Sequence, residues 1–277
     1  MNDITVDVHL SPGYVAETLR SDVLAGLLAT PKSLPPKWFY DARGSELFER
    51  ITELPEYYPT RAERQILATY APEIASVTGA RSLVELGSGS SEKTRLLLDA
   101  LQVREFVPLD VSATALRESA AAIAKEYPRL AVHGVVGDFT EHLDLLPGDR
   151  PRLVAFLGGT IGNLVPGERA KFLASVRSVL FEGEWLLLGT DLVKDPAVLV
   201  RAYDDSAGVT AEFNRNVLRV LNRELNGDFD VEAFEHVALW DAEAEWIEMR
   251  LRATRAMRVR LAGLDLDVTF AAGEELH

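Results

Sequence analysis

The sequence predicts an α/β protein: a doubly wound core built on a parallel sheet, with a second, discontinuous α+β domain beside it. Three observations carry this reading. Short apolar runs alternate with amphipathic stretches between residues 62 and 194, a glycine-rich corner follows the first of those runs, and after Asp191 the pattern changes to helices followed by alternating strands.

Residues 1–61 contain a helix near Tyr14 to Leu28, the proline-rich KSLPPKWFYD and the segment ELPEYYPTR. None of these resembles part of a nucleotide-binding core. Residues 1–61 are therefore grouped with 195–277 as the second domain, and 62–194 form the core. Within the core, SLVEL, EFVPLD, LAVHGVVGD, RLVAFLG and EWLLLGTDL are expected to be strands, because they are short, apolar and rich in β-branched residues or leucine. SSEKTRLLLDALQ, SATALRESAAAIAKEY and PGERAKFLASVRSVL carry apolar residues at helical spacing and are expected as helices, the first starting at about Ser91. Past Asp191, DPAVLVRAYDD and GVTAEFNRNVLRVLNREL read as helices. FEHVALW, AEWIEMRLRA, MRVRLAG and LDLDVTF read as one antiparallel meander.

Composition narrows the function. The 277 residues are 47% hydrophobic and 26% charged, ordinary for a globular protein with a sizeable core. No apolar run has the roughly 18 to 20 residues of a membrane helix, and MNDITVDVHL lacks the basic start and hydrophobic middle of a signal peptide. With no cysteine, disulfide frameworks and thiolate metal sites are excluded, which fits the cytoplasm. A net charge of −14 opposes nucleic-acid binding, which relies on lysine and arginine, so a small-molecule partner is expected. His9, His133, His142, His236 and His277 show no metal-ligand spacing, and no metal is expected.

The corner LVELGSGSSEKT places Gly87 and Gly89 between a strand and a helix, a geometry that turns backbone N–H groups and a positive helix end toward an anionic or carboxylate-bearing ligand. The third small residue of a dinucleotide fingerprint is replaced by Glu92, and no lysine preceded by glycine and followed by Ser or Thr comes after a four-residue gap, as a nucleotide triphosphate loop requires. Asp110 ends the second strand about 20 residues on, where an acid accepts from ribose hydroxyls. Asp138 and Phe139 end the third, where a carboxylate and an aromatic ring suit an adenine. Each of these residues would also serve a plain turn or a core. Together, at three consecutive strand ends, they resemble the class I S-adenosylmethionine-dependent methyltransferases.

Longer strings sharpen the resemblance. PKSLPPKWFYD, LPEYYPTR, VELGSGSSEKTRLLLDA, FLGGTIGNL, LLLGTDLVKD, RAYDDSAGVTAEFNRNVL and AAGEE are similar to the histidine N-alpha-methyltransferases of ergothioneine biosynthesis, from about Leu19 onward. The resemblance implies a Rossmann-like class I core with a substrate-binding second domain. It implies that Gly87, Lys93, Asp110, Asp138 and Phe139 bind S-adenosyl-L-methionine. Tyr57, Asn163 and Tyr203 would hold the amino and carboxylate end of L-histidine, with Tyr40 and Thr160 close by and Phe213 near the active site. The family product is hercynine, reached by three methylations, with S-adenosylhomocysteine released each time and no metal required. Tyr40 or an ordered water would assist proton loss from the substrate ammonium, and the sequence singles out no general base. In the family, a Thr-Glu-x-Ser stretch that grips the imidazole and the last strands of the core sheet follow the position of His277. A sheet of about five strands with an unpaired edge is therefore expected. The expected state is a monomer without nucleic-acid or membrane partners. A methyltransferase for another amine and an inactive cofactor-binding homologue are the competing readings.

Overall fold

The computed structural model describes residues 4–89 and 91–277. Its larger sheet contains β1 (Ile4–Val8), β2 (Ser82–Leu86), β3 (Glu105–Asp110), β4 (Ala131–Val136), β5 (Arg152–Phe156) and β6 (Trp185–Leu188), in the order β1-β4-β3-β2-β5-β6. Every pairing is parallel. β2 and β5 are buried at every position, and a strand covered on both faces needs no polar alternation, which explains their nearly continuous apolar character. From β2 the chain builds outward through β3 and β4, then returns to add β5 and β6 on the other side. That reversal lies between β2 and β5, and ligands in open α/β sheets bind at the carboxyl ends of strands flanking such a point.

The sheet differs from the expected five strands by the addition of β1. The N-terminal ITVDV, assigned from sequence to the second domain, pairs with β4 from Ile4 opposite Val132 to Val8 opposite Val136. It is an edge strand with mostly exposed side chains, so burial left little signature in the sequence. Its backbone ladder and the contact between Asp7 Oδ2 and His133 Nε2, at 2.7 Å, hold it in place. At the opposite edge β6 pairs with β5 alone among the described residues, and Trp185 is exposed.

The α-helices are α1 (Tyr14–Leu28), α2 (Ala42–Glu53), α3 (Tyr58–Thr78), α4 (Thr94–Leu101), α5 (Ala113–Glu126), α6 (Pro166–Val179), α7 (Pro196–Tyr203) and α8 (Val209–Leu225). α4 begins at Thr94 rather than near Ser91, because Ser91 adopts a left-handed backbone with φ 51° that a helix cannot continue. α5 starts where the Ser112 hydroxyl accepts from Ala115 N–H, a side-chain cap on one of the helix's free donors.

The chain divides into two compact units. One joins the N-terminal residues up to Pro12 to Ala62–Asp191, and the other joins Gly13–Arg61 to Leu192–His277. The first unit packs its helices on the parallel sheet around Leu83, Leu97, Phe106 and Ile123 on one side and Val84, Leu109, Phe156 and Phe172 on the other. The second unit centres on Phe39, Phe213, Leu218, Phe234 and Phe270. α8 supplies much of that core, with Phe213, Val217, Leu221 and Leu225 recurring every four residues on one face.

The expected single meander is two separate antiparallel sheets. β7 (Phe234–Asp241) and β8 (Trp246–Ala253) pair along their length, and β11 (Glu275–Leu276) adds to β8. β9 (Met257–Leu261) and β10 (Leu266–Phe270) form their own hairpin. The break comes after β8, where both the amide and the hydroxyl of Thr254 donate to Ala233 O and turn the chain away. The other side of β9 is then taken by the loop after α8, with Asp228 N–H donating to Arg260 O.

Candidate active site

The glycine corner follows β2 without a break. Gly87 and Gly89 have φ of 69° and 48°, a region open to glycine at little cost, and a Cβ added at either would meet nothing within 4 Å. The corner is thus a shelf with open space beside it. Its amides, however, do not face that space. Gly87 and Ser88 N–H both donate to Leu109 O, Gly89 N–H donates to Asp110 Oδ2, and Ser91 N–H donates to Ser88 O. The sequence predicts these donors facing an anion, but in the structure those of Gly87, Ser88 and Gly89 brace the corner against β3 and that of Ser91 closes the corner on itself. What remains at the corner, among the described residues, is Ser88 Oγ, buried without a hydrogen-bond partner.

Asp110 closes β3 and spans two loops, since its other oxygen accepts from Ser112 N–H at 2.9 Å. Burial raises its carboxyl above the usual range, and the amide donors of Ser112 and Gly89 work against that rise. Gly137 N–H donates to Asp110 O, which brings the end of β4 beside the end of β3. There Asp138 is buried, with Oδ1 accepting from the amide and hydroxyl of Thr140 at 2.8 and 2.6 Å. Phe139 packs against Phe156 and Phe172, at 5.1 and 5.7 Å between ring centroids, so it is anchored in the core next to the strand ends.

Past β5, Gly158 and Gly159 take left-handed conformations and lead into a 3-10 turn over Thr160–Asn163. Thr160 Oγ1 donates to Leu157 O, and Asn163 is exposed at the end of the turn. The Gly158 amide donates to the carboxylate of Glu63, from α3, at 2.8 and 3.1 Å. The same carboxylate is paired with Lys93 Nζ. Lys93 and the FLGGTIGNL turn, from either side of the strand-order reversal, are thereby brought together.

In the second unit, Tyr40, Tyr57, Tyr203 and Phe213 also come together. Tyr57 and Phe213 are buried. Tyr57 meets Tyr203 edge-on at 5.9 Å, and Phe213 meets Tyr40 at 5.4 Å and Phe39 at 5.1 Å. Tyr40 is 43% exposed, yet desolvation, with Tyr203 adding to it, holds its hydroxyl well above the usual phenol range. The backbone of Tyr203 is fixed by His236, whose Nε2 donates to Tyr203 O at 2.8 Å while Nδ1 accepts from the Asn214 amide at 2.9 Å.

Three residues of consequence were missed in the sequence. Glu85 in SLVEL had a visible signal, an acid inside an apolar strand, and the structure buries it with hydrogen bonds from the hydroxyls of Ser91 and Thr94. Glu63 and His236 had none, since their partners are distant in sequence. Among the described residues, no cluster of three or more histidines and acids is placed to hold a metal ion, and no helix is long and apolar enough to cross a membrane.

A parallel sheet with an open corner after β2, an acid ending β3 and another two residues past β4 defines an α/β methyltransferase fold, here accompanied by separate antiparallel sheets. The family described as histidine-specific, SAM-dependent methyltransferase matches residues 19–277, and the chain belongs to it. Histidine N-alpha-methyltransferase of Mycolicibacterium smegmatis is 61% identical over 97% of this chain and 85% of its own. The protein of that name from Mycobacterium tuberculosis is 58% identical over 99% of this chain and 86% of its own. Ergothioneine biosynthesis protein 1 of Neurospora crassa is 36% identical over 69% of this chain and 23% of its own.

Proposed function

We infer that this chain transfers methyl groups from S-adenosylmethionine to the α-amino nitrogen of L-histidine, giving trimethylhistidine (hercynine) in the first step of ergothioneine biosynthesis. The observation that carries this is the family match across residues 19–277, together with identities of 61% and 58% to two proteins named for that activity.

The residues present suit the cofactor. The open shelf at Gly87 and Gly89 has room for a ligand, and the orphaned Ser88 hydroxyl wants a polar partner there. Lys93 would meet the carboxylate of the amino-acid end, Asp110 the ribose hydroxyls, and Asp138 with Phe139 the adenine. When bound, S-adenosylmethionine supplies an electrophilic methyl group on a sulfonium. Tyr57, Tyr203 and Asn163 would hold the amino and carboxylate groups of histidine, and Thr160 stands two residues from Gly158 to help orient them. Phe213 would act through Tyr40, which it supports edge-on. The raised value of the Tyr40 hydroxyl keeps it protonated, so it would donate a hydrogen bond to the substrate, and the ammonium proton would leave to water. Nitrogen attacks only as the neutral amine. Most of the rate gain would therefore come from holding that amine in line in a site that excludes water.

The test is mass-spectrometric detection of mono-, di- and trimethylhistidine after incubation with S-adenosylmethionine and L-histidine, alongside a panel of other amino acids and amines. Trimethylhistidine from histidine, with little turnover of the panel, is the expected result. Preferential methylation of another amine would overturn the substrate assignment. Cofactor binding without turnover would overturn the assignment as an enzyme.

A further inference from the structure

We propose that Glu63 is a cofactor-binding residue that pairs with the α-ammonium of the cofactor's amino-acid end, so that Glu63 and Lys93 together read that end as a zwitterion. The inference rests on the S-adenosylmethionine reading above and adds a residue to it.

The placement of Glu63 is the first argument. Its carboxylate lies at the carboxyl end of β5, held there by the Gly158 amide at 2.8 and 3.1 Å and by Lys93. Lys93 itself precedes α4, on the loop that follows β2. The pair thus straddles the point where the strand order reverses, the place an open α/β sheet offers a ligand. The second argument is the room kept for the acid. A Cβ on Gly189, just past β6, would stand 2.2 Å from Glu63 Oε1, so a larger residue there would push the carboxylate out of this position.

Charge supplies the third. The amides of Gly87, Ser88, Gly89 and Ser91 are spent inside the protein, so the corner presents side chains to a charged ligand. The side chains of Lys93 and Glu63 are 23% and 14% exposed, sheltered enough for their charges to act strongly and open enough to exchange partners. An α-amino acid carries one carboxylate and one ammonium. A ligand zwitterion inserted against the pair replaces one ion pair by two, whereas a lone carboxylate would gain Lys93 and face the repulsion of Glu63. The structure accordingly favours ligands that keep both groups.

The experiment is calorimetric titration of the 277-residue chain and its Glu63→Gln and Glu63→Asp variants with two probes. S-adenosylhomocysteine carries the amino-acid end, and 5′-methylthioadenosine lacks it. We expect Glu63→Gln to weaken S-adenosylhomocysteine at least tenfold while binding 5′-methylthioadenosine within twofold of the unchanged chain, with Glu63→Asp in between. The second probe also reports that the variant site is folded. Unchanged or tighter S-adenosylhomocysteine binding would overturn the proposal, because Glu63 would then merely mask Lys93. Equal losses for both probes would overturn it too, as a structural effect. If the unchanged chain bound neither probe, this inference and the cofactor reading beneath it would both fall. Loss confined to Glu63→Gln, by contrast, tests Glu63 alone.

Discussion

The buried carboxylate of Glu85, at the penultimate position of β2, accepts the hydroxyl hydrogen of Ser91 at 3.2 Å, on the far side of the glycine corner. The Thr94 hydroxyl at the start of α4 donates to its other oxygen. One acid therefore pins both ends of the loop on which the cofactor reading depends.

That pinning has a pH signature. Burial pushes the Glu85 carboxyl up to about 7, against the Ser91 and Thr94 hydrogen bonds, which favour the charge. A raised carboxyl binds its proton more tightly in the folded chain, so its contribution to stability is full below the ordinary value of 4.5 and is lost as pH rises through about 7. The loss amounts to roughly 3 kcal/mol. Glu85→Gln keeps an acceptor for the hydroxyls but cannot ionise. Urea unfolding at about pH 4.5 and pH 8 should show the unchanged chain losing stability that the variant retains; equal losses in both would place the titrating group elsewhere.

Asp110 links the corner to β3 through Gly89 N–H and to the next loop through Ser112 N–H. Removing it takes away the proposed ribose acceptor and one brace of the shelf together. Asp110→Ala should weaken S-adenosylhomocysteine by roughly 10- to 100-fold, the scale of a hydrogen bond to a charged group, and Asp110→Asn by less because it still accepts from Gly89. Titration calorimetry gives both values. Full affinity in the alanine variant would remove Asp110 from the cofactor site.

The sheet was legible where burial imposed a pattern. SLVEL and RLVAF are covered on both faces, and α8 repeats its apolar residues every four positions, so periodicity located them. β1 escaped because an exposed edge strand is held by backbone hydrogen bonds that any side chains permit. The meander was misread as continuous because the Thr254 contacts that interrupt it are tertiary. At the candidate site, Asp110 and Asp138 stood out as acids at strand ends, whereas Lys93 came only from the family resemblance. Glu63 was not readable, since its partners lie 30 and 95 residues away and only the folded chain brings them to it.

A second buried acid supports the sheet rather than the site. Glu184, in the turn before β6, accepts from Arg152 Nε at 2.9 Å, and that guanidinium also donates to Leu146 O and Val179 O at 3.1 and 2.7 Å. Both side chains are almost inaccessible, at 4% for the arginine and 1% for the glutamate. Breaking such a pair strands a buried charge, so Glu184→Ala should cost about 3–5 kcal/mol in urea unfolding, far more than removal of the exposed Glu92, which pairs with Arg64 on the surface. A loss below about 1 kcal/mol would show that water reaches Arg152 once its partner is gone.

His236 offers the clearest link from packing to substrate binding. Its ring is fixed as the neutral form, with Nε2–H given to Tyr203 O and Nδ1 accepting from Asn214, whose amide also donates to Arg250 O at 3.1 Å. Protonation would set an N–H against the Asn214 amide. Burial is the main force lowering the His236 value, and Arg215 assists, while the bond to Tyr203 O and the charges of Asp204 and Asp205 oppose it. A lowered histidine contributes stability that is present above the ordinary value of 6.5 and lost as pH falls through the folded value. If Tyr203 holds the substrate, loosening its backbone should act on histidine and leave the cofactor alone. His236→Ala should therefore raise the KM for histidine about tenfold, with S-adenosylhomocysteine affinity unchanged, and should flatten the acid side of the stability profile. Steady-state kinetics at saturating cofactor, calorimetry and unfolding between about pH 5 and 8 read the three effects separately. A fall in kcat with KM unchanged would mean that His236 supports the chemistry by some route other than Tyr203.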